Sequence, residues 1–195
     1  FRVESDWSAA SYWYEVLALA GEGNVTLRGL RKESYQGDSA VAEIFEKFGV
    51  STSYYENEVR LNVQSGQKKQ NLETETGHSE PVEYDFTDVP DLAQTVVVTC
   101  CLKNIPFKFS GLQSLKIKET NRVAALICEL AKLGYVLHEP AEGQLAWDGK
   151  RCEADETPSI TTYEDHRMAM AFAPAALFQN ISIEHPEVVS KSYPN

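Results

Sequence analysis

Apolar and polar residues along the chain follow two periods, one helical and one alternating, and the order of these periods repeats. In the first part of the chain, the pattern predicts a helix over Trp7–Ala20, a strand over Asn24–Arg28, a helix over Asp38–Phe48, and a hairpin of Val50–Tyr55 and Glu58–Val63. Ser5-Asp6 can cap the first helix, and Gly49 suits the left-handed residue that ends the second. These elements form one helix–strand–helix–hairpin unit.

The same order returns in the second half of the chain. It predicts a helix over Asp91–Leu102, a strand over Phe107–Leu112, a helix over Thr120–Leu133, and a hairpin of Tyr135–Glu139 and Gln144–Asp148. Gly134 ends the second helix of this copy, 85 positions after Gly49. A third copy starts with a helix over His166–Phe178 and a strand over Ile181–Glu184. Such repetition is typical of units that bury their apolar faces against neighbouring copies.

Helices and strands in alternation predict an α/β layer fold. Between the first two copies, the polar stretch 64–83, rich in Lys, Glu, Thr and Gly, predicts an exposed loop. The chain has no initiator Met and stops within the third copy at Lys191-Ser192-Tyr193-Pro194-Asn195. We therefore expect it to be a piece of a longer protein.

Composition narrows the classes of function. The chain has 195 residues, 43% of them hydrophobic, enough for one full core or two small ones. Its 18 basic and 29 acidic side chains leave a net charge of −11, which disfavours binding to nucleic acid or an anionic membrane. No apolar stretch is long enough to span a bilayer. The cysteines and histidines show no metal-type spacing, which predicts reduced thiols in a cytoplasmic protein and no metal site.

Basic residues stand where helices are predicted to begin. Lys118 and Arg122 open the second helix of copy two, and Arg167 opens the first helix of copy three. Lys191 stands where the next helix would begin. The start of a helix is partially positive, so each cation there costs from a few tenths to about 1 kcal/mol. In an acidic chain, their recurrence at equivalent helix ends predicts a phosphate or carboxylate ligand that offsets this cost.

Two carboxylates join these cations, and every member of the group also has an ordinary structural role. Glu119 lies among the cations, which would keep it ionised and suit it to act as a base or relay. Alternatively, Arg122 could pair with Glu119, and Arg167 with Glu164, as surface ion pairs. Asp91 could simply be a helix-start carboxylate after a proline. Charge placement alone therefore indicates a small-anion site and does not identify the ligand.

These residues lie within motifs of a known family. Lys118-Glu119-Thr120-Asn121-Arg122 resembles the Lys-Glu-Thr-Asp/Asn-Arg signature of the 5-enolpyruvylshikimate-3-phosphate synthases. Glu164-Asp165-His166-Arg167-Met168-Ala169-Met170 resembles their Asn/Glu-Asp-His-Arg-Met-Ala-Met box. Shorter matches follow the family's order and spacing: Val3-Glu4-Ser5-Asp6, Ser11-Tyr12, Gln36-Gly37-Asp38, Pro90-Asp91-Leu92-Ala93 and Ser190-Lys191-Ser192-Tyr193-Pro194. The resemblance covers nearly the whole chain.

The resemblance implies a fold of two similar domains, each with three copies of a β-α-β-α-β-β unit whose helices pack inside, an inside-out α/β barrel. Residues 1–195 would form most of the carboxy-terminal domain of this enolpyruvyl transferase fold. The partner of this domain would be the amino-terminal domain of the same protein, which the chain lacks. The parent protein is expected to be cytoplasmic and monomeric, with no nucleic acid and no membrane among its partners.

The resemblance also implies an activity, the transfer of a carboxyvinyl group from phosphoenolpyruvate to shikimate 3-phosphate with release of phosphate. It assigns six residues: Asp91 as the acid/base at the shikimate hydroxyls, Glu119 in proton transfer at the methylene group, Lys118 on shikimate 3-phosphate, and Arg122, Arg167 and Lys191 on phosphoenolpyruvate. The chemistry needs positioned acid/base groups and fixed cations, and neither a metal nor an organic cofactor.

Two other functions remain open from the sequence. One is the sister enolpyruvyl transferase that acts on UDP-N-acetylglucosamine and shares the fold and the chemistry. The other is a non-catalytic phosphate-binding module. Because half of the ligands for both anions would come from the other domain, the chain alone is expected to be inactive.

Overall fold

The computed structural model of the chain describes residues 3–63 and 80–191, except for the side chain of Lys191. The chain divides into two units, Phe1–Gln70 and Asn71–Asn195, and each is a mixture of helices and strands. Within the described part, none of the helices has the length and apolar character needed to cross a membrane.

The first unit contains five named elements: helix α1 (Trp7–Ala20), strand β1 (Asn24–Arg28), helix α2 (Val41–Glu46), and strands β2 (Val50–Tyr54) and β3 (Glu58–Val63). The sheet has the order β1-β3-β2, and both strand pairs are antiparallel. The central strand β3 alternates as the sequence predicts, with Val59 and Leu61 buried and Arg60 exposed between them. The hydrophobic face of the sheet is therefore set by period-two alternation.

The first helix has the predicted bounds because both of its ends are capped. Asp6 accepts a hydrogen bond from the Ser8 N–H at 2.8 Å, which satisfies a free donor of the first turn. At the other end, Gly21 has a φ of 72°, the left-handed conformation that stops a helix.

The second unit contains helices α3 (Ala93–Leu102), α4 (Arg122–Lys132) and α5 (His166–Phe172), and strands β4 (Val82–Asp85), β5 (Phe107–Ser110), β6 (Leu145–Trp147), β7 (Ser159–Ile160) and β8 (Ser182–Ile183). One sheet has the order β4-β5-β6, in which β4 and β5 are parallel and β6 is antiparallel to β5. The second sheet pairs β7 with β8 in parallel. Helix α3 connects the first parallel pair, α5 connects the second, and all of α3 is buried.

Short 3-10 turns stand at several predicted helix ends, so some predicted bounds were wrong. The helix over Asp38–Phe48 consists of a 3-10 turn, Gly37–Ala40, followed by the short α2. Helix α2 ends at Glu46 because the N–H groups of Lys47 and Phe48 bond three residues back, as in a 3-10 turn. The helix over Thr120–Leu133 starts only at Arg122, since Asn121 caps it. The helix over His166–Phe178 ends as an α-helix at Phe172, because Pro174 cannot donate a helical hydrogen bond.

The strand predictions of the later copies also needed correction. The predicted hairpin after α4 is reduced to two isolated bridges, Tyr135 with Arg151 and His138 with Ala146, while β6 pairs with β5. The predicted strand Ile181–Glu184 shortens to β8. Within the predicted loop 64–83, Val82 and Glu83 instead belong to β4, because they pair with β5. Residues 64–79 of that prediction lie outside the described residues.

Candidate active site

Four of the six predicted site residues meet at one carboxylate in the second unit. Oδ1 of Asp91 accepts a hydrogen bond from Nη1 of Arg122 at 2.9 Å and lies 3.6 Å from Nζ of Lys118. Oδ2 of Asp91 accepts a hydrogen bond from Nη2 of Arg167 at 3.0 Å. Residues from two other segments of the chain therefore converge on Asp91.

The position of Asp91 follows from the start of α3. Pro90 opens a 3-10 turn, Pro90–Leu92, and its fixed φ and missing N–H suit the first residue of a helix. The side chain of Asp91 is 28% exposed and accepts hydrogen bonds from two arginine side chains. A carboxylate that served only the helix start would face the backbone N–H groups, so these arginine contacts need a further explanation.

Arg122 lies beneath Asp91 and contacts two more carboxylates. Asn121 caps α4 by accepting a hydrogen bond from the Ala124 N–H at 3.1 Å, which sets Arg122 in the first helical turn. Nη2 of Arg122 is 2.9 Å from Oε2 of Glu119, and its Nε is 2.6 Å from Oδ2 of Asp165. The predicted pairing with Glu119 exists, but only 2% of the Arg122 side chain is exposed, so it is not a surface ion pair.

Asp165 is a member of this cluster that the sequence interpretation did not select. Its side chain is fully buried, and it caps α5 by accepting a hydrogen bond from the Arg167 N–H at 2.9 Å. Its other oxygen, Oδ2, accepts a hydrogen bond from Nε of Arg122. Asp165 therefore links the first turn of α4 to the first turn of α5. Two signals were available, an aspartate directly before a helical pattern and its place in the box around Arg167.

Arg167 and Lys191 complete the predicted set. The side chain of Arg167 is 13% exposed, and its Nη1 also lies 3.4 Å from the backbone carbonyl oxygen of Asp91. Lys191 ends the 3-10 segment Pro186–Lys191, and its side chain lies outside the described residues. The prediction for Lys191 therefore stays a prediction.

The surrounding cations determine the protonation of Asp91. Burial by itself raises the pKa of this carboxyl group, but Arg167, Lys118 and Arg122 together outweigh that effect and lower the pKa below its ordinary value of 3.8. Asp91 is therefore ionised at neutral pH in this arrangement. It can accept a proton only if some of the cations move away or bind another anion.

Two further groups at the site have shifted pKa values. A hydrogen bond from its own backbone and the charge of Arg122 lower the pKa of Glu119 below 4.5, although burial acts in the opposite direction. Burial and then the charge of Arg167 lower the pKa of His166 below 6.5. At neutral pH the site therefore holds an ionised Glu119 and a neutral His166.

The family of the chain follows from comparison with known proteins. The sequence model of EPSP synthase (3-phosphoshikimate 1-carboxyvinyltransferase) matches residues 1–195, the whole chain. The chain belongs to the EPSP synthase family. The match agrees with the resemblance noted for the two sequence motifs of the site.

Several named relatives support this membership. The 3-phosphoshikimate 1-carboxyvinyltransferase of Bacteroides fragilis (strain YCH46) is 56% identical over 195 residues, which is 100% of this chain and 45% of that protein. The enzyme of the same name from Idiomarina loihiensis is 36% identical over 196 residues, covering 100% of this chain and 42% of that protein. The chain thus spans about half the length of the curated relatives it matches.

A solved structure with the same fold comes from a more distant relative. The EPSP synthase of Acinetobacter baumannii superimposes with a TM-score of 0.70 at 18% identity, covering 98% of this chain and 44% of that chain. At this identity the likeness concerns the fold alone. It agrees with the mixed α/β class predicted from the alternation of elements.

The site of this EPSP synthase family chain has two layers that differ in exposure. Asp91, Lys118 and Glu119 are 28%, 37% and 49% exposed, whereas Arg122 and Asp165 are buried beneath them. The more exposed layer combines a cation, a type of group that pairs with anions, with two carboxylates, a type of group that can transfer protons. Among the described residues, no group of three or more His, Cys, Asp or Glu side chains could hold a metal ion.

Proposed function

We propose that the chain is the carboxy-terminal half of an enzyme that transfers the carboxyvinyl group of phosphoenolpyruvate to the 5-hydroxyl group of shikimate 3-phosphate. The observation that carries this proposal is the convergence of Lys118, Arg122 and Arg167 on Asp91. Names of the family and of its relatives support the choice of substrates. They favour shikimate 3-phosphate over UDP-N-acetylglucosamine as the acceptor.

The reaction proceeds by addition and then elimination. The oxygen of the 5-hydroxyl group forms a bond to the central carbon of phosphoenolpyruvate, the hydroxyl proton leaves, and a proton adds to the methylene carbon. The tetrahedral intermediate then loses a proton from the new methyl group, and its carbon–oxygen bond to phosphate breaks. The products are the enolpyruvyl ether and inorganic phosphate, so atoms and charge balance without a cofactor.

The ionised carboxylates suit the two proton transfers. Asp91 accepts the hydroxyl proton, and Glu119 relays a proton at the methylene carbon. The anionic groups of phosphoenolpyruvate compete with Asp91 for Arg167 and Arg122. As these cations turn to the substrate, their hold on Asp91 weakens and its pKa rises, so that substrate binding prepares the base. Lys118 binds shikimate 3-phosphate, and Lys191 adds a further contact to phosphoenolpyruvate.

The parent protein has the two-domain architecture of its family in this proposal. Each domain repeats the β-α-β-α-β-β unit with its helices inside, an arrangement that the complete burial of α3 supports. The other domain supplies the remaining ligands of both anions, and the parent is a monomer. Its four free thiols are typical of a reducing compartment, which favours the cytoplasm.

The test is phosphate release by the full-length protein given phosphoenolpyruvate and shikimate 3-phosphate, with the isolated chain assayed in parallel. We expect release by the full-length protein alone, because half a site lacks half of its ligands. A folded full-length protein that releases no phosphate would exclude the proposed activity. Release only when UDP-N-acetylglucosamine replaces shikimate 3-phosphate would assign the sister reaction instead.

The assignment of Arg167 has its own test. In the full-length protein, Arg167→Ala should raise the KM for phosphoenolpyruvate about tenfold or more and the KM for shikimate 3-phosphate much less, because a charged contact to one anion is lost. The opposite order would move Arg167 to the shikimate 3-phosphate subsite.

A further inference from the structure

Helix α4 carries two buried ionic side chains on one face. Arg122 and Glu129 are seven residues apart, which is about two helical turns, so both point to the same side of the helix. Arg122 contacts Asp165, as described above. Glu129 contacts the segment just before Asp165, which comprises Thr161–Tyr163. Glu129 takes no part in the proposed chemistry.

The Glu129 carboxylate is fully engaged by these neighbours. Its Oε1 accepts a hydrogen bond from the Tyr163 hydroxyl group at 2.7 Å. Its Oε2 accepts hydrogen bonds from the Thr161 N–H at 3.0 Å and from Nζ of Lys132 at 2.6 Å. Only 1% of the Glu129 side chain is exposed, so each of these bonds is made in a place where water does not compete.

The segment that Glu129 holds is conformationally unfavourable. Tyr163 and Glu164 have φ values of 54° and 58°, two consecutive left-handed residues that are not glycine. Within the described residues, the buried Oγ1 of Thr162 also has no hydrogen-bond partner. Such a turn persists only where surrounding contacts hold it, and it leads directly into Asp165 and Arg167.

We propose that Glu129 and Tyr163 form a positioning clamp that holds this left-handed turn and thereby sets the place of Asp165 and Arg167 in the site. The clamp works from both ends, because α4 holds the turn at Tyr163 through Glu129 and at Asp165 through Arg122. Neither Glu129 nor Tyr163 touches the substrate. Both act through the arginine that faces Asp91.

The consequence for the reaction rests on the proposed function, in which Arg167 binds phosphoenolpyruvate. If the turn relaxes, Arg167 moves away from the anion subsite, whereas Lys118 belongs to a different segment and stays in place. Loosening the clamp therefore weakens phosphoenolpyruvate binding selectively. A general loss of stability would instead lower the amount of active enzyme and leave both KM values unchanged.

The first test is Tyr163→Phe in the full-length protein, which removes the hydroxyl group and keeps the ring. We expect the KM for phosphoenolpyruvate to rise about tenfold, since the lost bond involves a buried charge, and the KM for shikimate 3-phosphate to change less than about twofold. The matched control is Tyr14→Phe, which loses a 2.8 Å hydrogen bond to Thr52 in the first unit. This control should leave both KM values unchanged.

The second test is a double-mutant cycle with Glu129→Gln. If one bond carries the effect, the double variant should have the same KM for phosphoenolpyruvate as the more impaired single variant. If the increase in KM of the double variant were the product of the two single increases, the two residues would act independently, and the clamp would be rejected. An unchanged KM in Tyr163→Phe would reject it as well.

Amide hydrogen exchange tests the clamp without any assay of activity. In Tyr163→Phe, the Arg167 and Met168 N–H groups, which both bond to Asp165, should exchange faster, while amides of α3 should be unaffected. Unchanged exchange at these two amides would overturn the clamp. If the wild-type protein were inactive but Tyr163→Phe still showed this faster exchange, the proposed function would be rejected and the clamp would be supported.

Discussion

The two units use similar segments before their second helices, but the chemistry of those segments differs. In the first unit, the Gln36 side chain accepts a hydrogen bond from the Trp7 N–H at 3.0 Å and donates one to the Ser5 carbonyl oxygen at 2.8 Å. In the second unit, the equivalent segment supplies Lys118 and Arg122, which contact Asp91. Hydrogen bonds from neutral donors hold the helix starts of the first unit, including those to the carboxylates of Glu4 and Asp38, whereas ion pairs hold those of the second.

The two units therefore place similar elements in similar positions, while individual side chains give each its chemistry. The first unit brings two helix starts together and the second brings three, and backbone N–H donors and partial positive charge accumulate where such starts meet. The first unit satisfies that place with its own polar groups. The second unit fills it with cations and carboxylates, whose contacts the substrate anion would replace in the proposed reaction.

The largest expected effect concerns two aspartates, each the second residue of a 3-10 turn that leads into an α-helix. Asp91→Ala in the full-length protein should lower kcat about a thousandfold, because the proposed base for the hydroxyl proton is lost. Asp38→Ala in the first unit removes a partner of the Ser8 hydroxyl group and should leave kcat unchanged. Steady-state kinetics and thermal unfolding of both variants make the comparison.

Two other outcomes of these measurements would contradict the expected difference between the two aspartates. If Asp91→Ala lost stability and turnover in proportion, Asp91 would act only as a helix-start residue. If Asp38→Ala lowered kcat as much, both units would contribute to catalysis.

The next effect concerns two arginines in ion pairs. Arg122→Met should lower the free energy of unfolding by about 3–5 kcal/mol, because it leaves the buried Asp165 without its cation. Arg60→Met in the first unit should cost less than about 1 kcal/mol, since the pair with Glu58 is exposed to solvent. Chemical denaturation of the two variants measures both values. Equal losses would show that burial does not separate the two pairs.

A smaller effect is expected at the glycines that end the second helix of each copy. Gly49 and Gly134 have φ values of 89° and 88°, so alanine at either place should cost about 1–2 kcal/mol. The added carbon at Gly134 would also lie 3.1 Å from the Cys152 carbonyl oxygen, whereas Gly49 faces open space. Gly134→Ala should therefore lower the thermal midpoint more than Gly49→Ala. The reverse order would mean that the contact at Gly134 relaxes freely.

The smallest expected effect is the change in the pKa of two carboxyl groups, Glu4 and Asp91, when the salt concentration is raised. Burial raises the pKa of both Glu4 and Asp91, yet both pKa values lie below their ordinary values. Hydrogen bonds, of which the one from Ser34 is the largest, lower the pKa of Glu4, whereas three nearby cations lower the pKa of Asp91. Because salt screens charges, the pKa of Asp91 should move back towards 3.8 between 0.05 and about 1 M salt, while that of Glu4 stays constant. Carboxyl carbon NMR titration reports both groups. Equal shifts would mean that cations do not dominate at Asp91.

The sign of the pH dependence follows from the same shift. The folded pKa of Asp91 lies below 3.8, so the stability that its ionised form contributes is complete above about pH 3.8. It is lost as the pH falls through the folded pKa. Asp91→Asn should therefore make acid unfolding less steep below this pH, and the difference should shrink at high salt.

Local signals explain which elements the sequence predicted correctly. Helix α1 and strands β1 and β3 have the predicted bounds, because caps and periodic burial act within a few residues of the chain. Strands β4 and β7 were missed. They have four and two residues, and their identity as strands depends on pairing with β5 and β8, which lie more than 20 residues further along the chain.

The α/β class and the motifs that carry the family could be predicted from the sequence alone, since each is a pattern of residue types along the chain. The repeat stays a prediction of that pattern. The sequence also selected Lys118, Arg122 and Arg167, because cations at helix starts are locally unfavourable, whereas Asp91 was selected through the family resemblance. Only the tertiary structure decided that Asp165 supports Arg122 from 43 residues away and that Glu129 holds the turn before Asp165. These contacts depend on where the chain returns in space, and no local pattern encodes that path.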